Sequence, residues 1–454
     1  MKNWMRITLS CSVLYGALWN LSAQAQAPAP AWTLRQAIDT ALDKNPATLA
    51  AKADLEQAEA ESRLAFSALL PQLGFTEDLS RGDDPVYAFG TRLRQRQFTQ
   101  ANFAIDALNR PDPVGDFSTR FSGQWMLFDS LRTQRGIAAS RQRTASASAG
   151  AKAVDQKVIF TVVQAWEAVL YAQRQVEVAA YEQQTAAALL SAAEDRVKAG
   201  LAVESDRMAA LVNLAARKQE SIAAEGDLEL AWEQLRIAVG NPELPQVALQ
   251  PMEARQFETP ALDAQIAMAL KTRPDLLSLR SAQQAQASTV SAARSAFGPQ
   301  ISVYGNWEED RGSIGTSGGN NWVAGAQIRV DILPVGKRAE LQREQAAKVR
   351  ADAQVASYEQ NLRLQISQAR THLRVASQSM LTAQAALDQA VESLRIVNNR
   401  YAAGLTNITD LMRAEDAERE SRANYWRAVY GNVLSYAENL FATGTLTPEA
   451  TEAM

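Results

Sequence analysis

From about Leu131 to Lys198, and again from Lys337 to Asn398, the chain runs without a single proline. At 1.5 Å per residue, a helix of that length is a straight rod of roughly 100 Å. Such a rod cannot bury itself inside a compact domain and needs other helices along its length. Alanines at 145, 147, 149, 151 and 153 permit close helix approach, while Val158, Val162, Trp166, Val169 and Leu170 recur near helical spacing. That combination predicts coiled-coil packing. Gly200 and Gly404 follow the two stretches and mark where each rod turns back, a role that suits glycine's tolerance of positive φ.

Composition agrees with long helices: aromatic residues make up only 7% of the 454, and glycine and proline are sparse. The formal charge of −4 leaves no basic surface for nucleic acid, so nucleic acid is not the expected partner. Residues 1–25 read as a cleaved export signal. Lys2 and Arg6 form the positive region, Ile7 to Leu21 is mostly apolar, and Ala23-Gln24-Ala25 fits the cleavage site. Its loss removes two cations and no acid, taking the formal charge from −4 to −6. Cys11, the only cysteine, lies in this segment with Thr8 where a lipidation signal needs leucine, so the mature chain is expected to have no disulfide or thiolate chemistry. No later run approaches the ~18 apolar residues of a spanning helix. A membrane crossing would therefore use strands, which points to a Gram-negative outer membrane.

The chain is also a tandem duplication. Ala37 to Leu42, followed by Asn45-Pro46, matches Gln265 to Leu270, followed by Arg273-Pro274, at an offset of 228. Leu70-Pro71-Gln72-Leu73 matches Gly298-Pro299-Gln300-Ile301 at the same offset. Arg196-Val197-Lys198-Ala199-Gly200-Leu201 matches Arg400-Tyr401-Ala402-Ala403-Gly404-Leu405 at 204, with Asp206 opposite Asp410 and Gly240 opposite Gly444. The 24 extra residues of the first copy fall in Asp78 to Asp116, whose counterpart is the short Arg311 to Asn321, so this stretch reads as an exposed loop.

Each copy reads helix, strand, loop, strand, then long helical hairpin. The first spans 26–240, with strands at about 72–80 and 117–129 and a hairpin at 131–239. A linker at 241–261 carries Pro242, Pro245, Pro251 and Pro260. The second copy spans 262–444, with strands at about 299–309 and 321–333 and a hairpin at 337–443, and 445–454 form a tail. In the strands Phe121, Gly123, Trp125 and Leu127 alternate with polar residues, as do Ile301, Val303, Gly305 and Trp307. Trp322, Ala324, Ala326, Ile328, Val330 and Ile332 share a face in the last strand. This alternation suits either a half-buried sheet or a lipid-facing barrel with a wet lumen, and Trp307 and Trp322 would suit an interfacial girdle.

The doubled set of motifs, Asn/Arg-Pro, Pro-Gln at the start of a strand, and Arg-x-x-Ala-Gly-Leu-x-x-x-x-Asp, resembles the TolC family of outer-membrane efflux proteins from about Leu34 to Gly444. The resemblance implies an α+β outer-membrane efflux-protein fold. In it a homotrimer pools four strands per chain into a twelve-stranded barrel, and antiparallel helices form a periplasmic α-helical barrel. It also implies that the hairpin tips Gly200-Leu201-Ala202 and Gly404-Leu405-Thr406 dock a periplasmic adaptor, which links the duct to an inner-membrane pump. From the residues alone, the same tips read first as plain helix C-caps. The family's periplasmic gate maps onto Asp410, with Ser205, Asp206 and Tyr401 around it. An Asp410 ring about a threefold axis would draw cations. Two departures stand out: Thr406 and Arg413 occupy positions where the family's gate has an arginine and a second aspartate. Arg413 could pair with Asp410 at i, i+3, or the two could form a solvated pair on an exposed face.

The function these features imply is a passive exit duct of a tripartite efflux system in the outer membrane, with the alternative of a duct for type I protein secretion. A periplasmic coiled-coil scaffold would explain the helices but leave the alternating segments unused. No cofactor, metal site or catalysis is expected. The one histidine, His372, sits mid-helix among arginines and reads as a surface residue. No glycine-rich phosphate loop is present. The long first loop, with Tyr87, Phe89, Phe98 and Phe103 among arginines, is expected at the outer mouth by the resemblance.

Overall fold

The computed structural model describes residues 31–454, so the expected export signal and Cys11 lie outside the described residues. The chain opens with α1 (Leu34–Lys44) and α2 (Pro46–Ser67), followed by β1 (Gln72–Gly82). Then come α3 (Pro85–Arg94), a 3-10 turn (Gln100–Phe103), α4 (Ile105–Asn109) and β2 (Val114–Phe128). The first hairpin is α5 (Arg132–Lys198) and α6 (Glu204–Val239). The second copy supplies α7 (Leu262–Thr272), α8 (Pro274–Ser295), β3 (Gln300–Arg311), β4 (Gly319–Arg329), α9 (Val335–Ala402) and α10 (Ile408–Thr443).

The single leading helix expected in each copy is in fact two. Pro46 and Pro274 lack the N–H that would continue the preceding helix, so each starts a new one at its first position. Asn45 caps α2 by accepting from the Ala47 N–H at 2.9 Å and donates to the Ala238 carbonyl at 2.8 Å, fixing this break against the end of α6. Gly240, at φ 73°, lies where a Cβ would come within 2.7 Å of the Asn45 Cα. Gly444, at φ 72°, meets Arg273 in the same way at 2.8 Å. The two proline breaks and the two glycine stops are thus one packing contact made twice.

The hairpins are unequal. The return arms α6 and α10 have 36 residues each, about half the lengths of α5 and α9. Along the upper half of α5 the missing partner is α2 together with α8 from the other copy. Ser146 there meets the Ser278 hydroxyl at 3.0 Å, and Arg135 donates to the Ser291 carbonyl at 2.9 Å. The alanine- and serine-rich spacing permits this close approach. The main core sits mid-rod, where α1, α5, α6 and α10 converge on fully buried Trp166 and Trp232.

The four strands form one antiparallel meander in the order β1-β2-β3-β4. Phe75, Phe121, Trp307 and Trp322 stand in register across all four, an aromatic row that is largely exposed. Two residues further from the helices the same face turns polar, with Glu77, Thr119, Glu309 and Asn320 in register. Aromatics bordering a polar row match the girdle of an outer-membrane barrel at the lipid–water boundary.

Several boundaries move. β4 ends at Arg329, leaving Val330 and Ile332 outside it, because its partner β3 begins after Pro299, which cannot donate to the ladder. A bulge at Met126–Phe128 shifts the register, so that Phe128 rather than Leu127 faces Ile301. The stretch Asp78 to Asp116 is not a plain loop. Pairing continues to Gly82↔Val114, and two short helices fill what lies between. Asp84 before Pro85, accepting from the Tyr87 N–H at 2.9 Å, is the start signal that the loop reading passed over.

Candidate docking tips and periplasmic gate

Both hairpins end in the same backbone motif. Gly200 and Gly404 take φ of 73° and 72°, the Leu201 N–H donates to the Arg196 carbonyl at 2.8 Å, and the Leu405 N–H to the Arg400 carbonyl at 2.8 Å. Both patterns are Schellman C-caps, which satisfy the last carbonyls of the helix. Leu201 and Leu405, at the position from which a hydrophobic contact often accompanies the motif, are 79% and 69% exposed. Ala202 and Thr406 beside them are half-buried.

Beyond the turns the tips diverge. In the first, Val203 occupies the N-cap of α6 with no side-chain hydrogen bond. In the second, Asn407 accepts from the Asp410 N–H at 2.8 Å, and the Thr406 hydroxyl donates to Asp410 Oδ2 at 2.8 Å. Arg413 approaches the other oxygen, Oδ1, at 3.7 Å and is itself largely exposed. Asp410 is thereby engaged within its own tip. Ser205 is exposed and Asp206 half-buried, and neither side chain hydrogen-bonds to the second hairpin among the described residues.

The structure ties Tyr401 to the first hairpin through a residue not singled out from sequence. The Arg196 guanidinium lies 4.4 Å from the centre of the Tyr401 ring. It also donates to the Tyr401 and Ala402 carbonyls at 3.0 and 3.3 Å. A cation thus sits at the C-terminal end of α9, where the helix dipole favours it. The signal was available: Arg196 and Arg400 begin the doubled motif, yet among the described residues only Arg196 makes the crossing. Around this tie Leu189, Ala193, Ala210, Ile408 and Leu411 form a small apolar core joining the two hairpins.

A second missed feature lies above the tips, where α5, α6 and α10 meet in a charged layer. Buried Arg217 pairs with Glu220 at 2.8 Å and Asp416 at 3.2 Å, and Arg419 pairs with Asp416 at 3.2 Å. Arg422 pairs with buried Glu418. Burial, then the charges of Glu182 and Asp416, push the Glu415 carboxyl up to about 7. In sequence these charges resemble a solvated face, because only the tertiary packing shows that α5 covers them. His372 is exposed, as expected, beside Glu438 at 3.0 Å.

The profile described as outer membrane efflux protein matches residues 37–241 and 265–441, one stretch per copy. The chain belongs to the outer membrane efflux protein family. Members are passive outer-membrane channels rather than enzymes, and this one is an outer-membrane protein with its helices in the periplasm. It is 22% identical to the alkaline protease secretion protein AprF of Pseudomonas aeruginosa over 89% of this chain and 83% of that protein. It is 23% identical to the outer membrane protein TolC of Vibrio cholerae over 92% and 91%. The fold is that of the CmeC outer membrane channel of Campylobacter jejuni, with a TM-score of 0.78 over 92% of this chain and 88% of that one, at 19% identity.

Proposed function

We propose that this family member is the exit duct of a tripartite efflux system, acting as a homotrimer that passes small molecules from an inner-membrane pump to the exterior. The observation that carries the reading is the open four-stranded sheet. Among the described residues its edges β1 and β4 pair with no further strand, and its apolar face is exposed. An open edge in lipid leaves backbone groups without partners, so the strands need a closed ring with other copies. The rods support the same reading. Val212, Ile222, Leu230 and Ile237 on α6 are 61–75% exposed at near-helical spacing, and Val349, Leu364 and Val375 on α9 are also exposed. These lines are surfaces for neighbouring protomers in a tunnel.

In this reading Gly200-Leu201-Ala202 and Gly404-Leu405-Thr406 dock the adaptor, each presenting an uncovered leucine on a closely approachable backbone. The gate lies at Tyr401, Asp410 and Arg413, facing Ser205 and Asp206, with Arg196 holding the second hairpin to the first. Cysteines placed at Leu201 and Leu405 should crosslink to a periplasmic adaptor in active cells. Failure at both positions with every co-expressed adaptor would remove the tip assignment.

The likeness to AprF, named for protease secretion, favours one second reading, a duct for type I protein secretion. Disrupting the gene separates the two. Antibiotic hypersensitivity with normal secreted protein supports efflux, and a missing secreted protein with normal drug tolerance supports secretion.

A further inference from the structure

The 31 residues 83–113 between β1 and β2 have as counterpart only the seven-residue turn 312–318 between β3 and β4. Both connections lie at the sheet end opposite the one that joins the helices, which is the outer end of a duct whose helices are periplasmic. We propose that this insertion is a folded plug, seated on the lumen wall, that narrows the outer mouth and filters solutes by size. The inference rests on the trimeric-duct reading.

The anchors decide the direction of folding. Tyr87 Oη meets Ser80 Oγ of β1 at 2.8 Å, and Gln95 Nε2 donates to Asp116 Oδ1 of β2 at 2.9 Å. Arg94 pairs with Glu308 of β3 at 3.4 Å, and the Asn321 amide of β4 donates to the Arg94 carbonyl at 3.4 Å. Ser80, Asp116, Glu308 and Asn321 all alternate with the exposed aromatic row, so they belong to the polar face of the sheet. In a barrel with its aromatic face to lipid, that face is the lumen.

α3 lies across the strands as a bar. Its ten residues span roughly 15 Å, close to the ~14 Å of three strand spacings. Ala88 and Thr91, with the capping Gln95 just past its end, are its buried, wall-facing side. Gly319 admits it, since a Cβ there would fall 1.9 Å from the Arg94 carbonyl oxygen. Arg96 ends the helix at φ 57°, a conformation costly for a non-glycine residue, and its guanidinium donates to the Asn320 carbonyl at 2.7 Å. Phe89, Phe98 and Phe103 pack edge to face, giving the insertion a small core of its own. Val86 and Leu93, 81% and 49% exposed, point away from the wall. Three helices, each about 10 Å thick with side chains, would stand inside one barrel.

Single-channel conductance in planar bilayers tests the plug. The variant with residues 84–112 replaced by a seven-residue Gly-Ser turn should conduct roughly twofold more or better than the unaltered protein. In full-length protein carrying Cys11→Ser, Leu93→Cys labelled with a bulky thiol reagent should lose conductance in steps. Ile328→Cys, on the lipid face, should lose none. Equal conductance after shortening overturns the plug, as does full labelling of Leu93→Cys without a change in current. If the shortened variant does not assemble, the labelling result alone decides. If neither the unaltered trimer nor one whose hairpin junction is loosened by Arg196→Ala opens a channel, the duct reading fails instead.

Discussion

The two hairpins share one backbone plan and differ in what holds them. α5 has eighteen buried residues, from Ile137 to Ala193, whereas α9, one residue longer, has six, from Val355 to Met380. The first hairpin is therefore the framework of the protomer, packed around Trp166 and Trp232. In the second, α10 joins that same core through Tyr430 and Ala437 and the tip is held by the Thr406–Asn407–Asp410 cap and by Arg196, while α9 leaves most of its length uncovered by its own chain. Helices draw most of their stability from tertiary packing. α9 is thus the rod with the least cover from its own chain.

The largest expected effect breaks the framework. Trp166→Ala removes a side chain with no exposed surface, packed 5.6 Å from Trp32, and should cost about 3–5 kcal/mol, read as a lowered melting temperature. Leu364→Asp on α9 should act oppositely. Helical circular dichroism is retained while the heat-dissociable trimer is lost on gels, and an intact trimer would remove α9 from the subunit interface.

Arg196→Ala tests the tie itself. Loss of the ring contact and two carbonyl bonds should weaken the hairpin junction by about 1–3 kcal/mol. Hydrogen exchange at Ile408 to Leu411 should quicken and resting conductance rise, with Arg196→Lys restoring only part. Asn407→Ala should cost about 1 kcal/mol by removing a cap, whereas Val203→Asn should add a cap that the first tip lacks. If the two changes shift the melting temperature in the same direction, the contrast between the tips is wrong.

The smallest effect is on pH. Glu415 is raised from 4.5 to about 7, so between those values the folded state holds more protons than the unfolded one. Its stabilising contribution is complete below pH 4.5 and is lost as pH rises through about 7. Glu415→Gln should flatten the fall in melting temperature across that window.

Much of this was legible in the sequence because it rests on local rules written twice. The glycine stops and the alternating strands each follow from backbone chemistry within a few residues, whereas the Asn/Arg-Pro pairs read as lying within one leading helix although each splits it in two. The Arg196–Tyr401 tie was marked only by the doubled motif that Arg196 begins, and the Glu182–Arg217–Glu415 layer not at all, because both join helices some 200 positions apart and their charges look like ordinary surface ones. The insertion was misread as a loop for a related reason. Its Asp84-Pro85 helix start is local, but Thr91 and Gln95 look solvent-facing until the sheet lies beneath them.

The central claim is that the open sheet and the unpartnered rods are completed by two further copies of the chain. The most direct test is the native mass of the particle extracted in mild detergent from outer-membrane fractions. The expected result is three chains per particle, collapsing to one on heating. A single-chain particle, or a soluble species released from the periplasm, would contradict it.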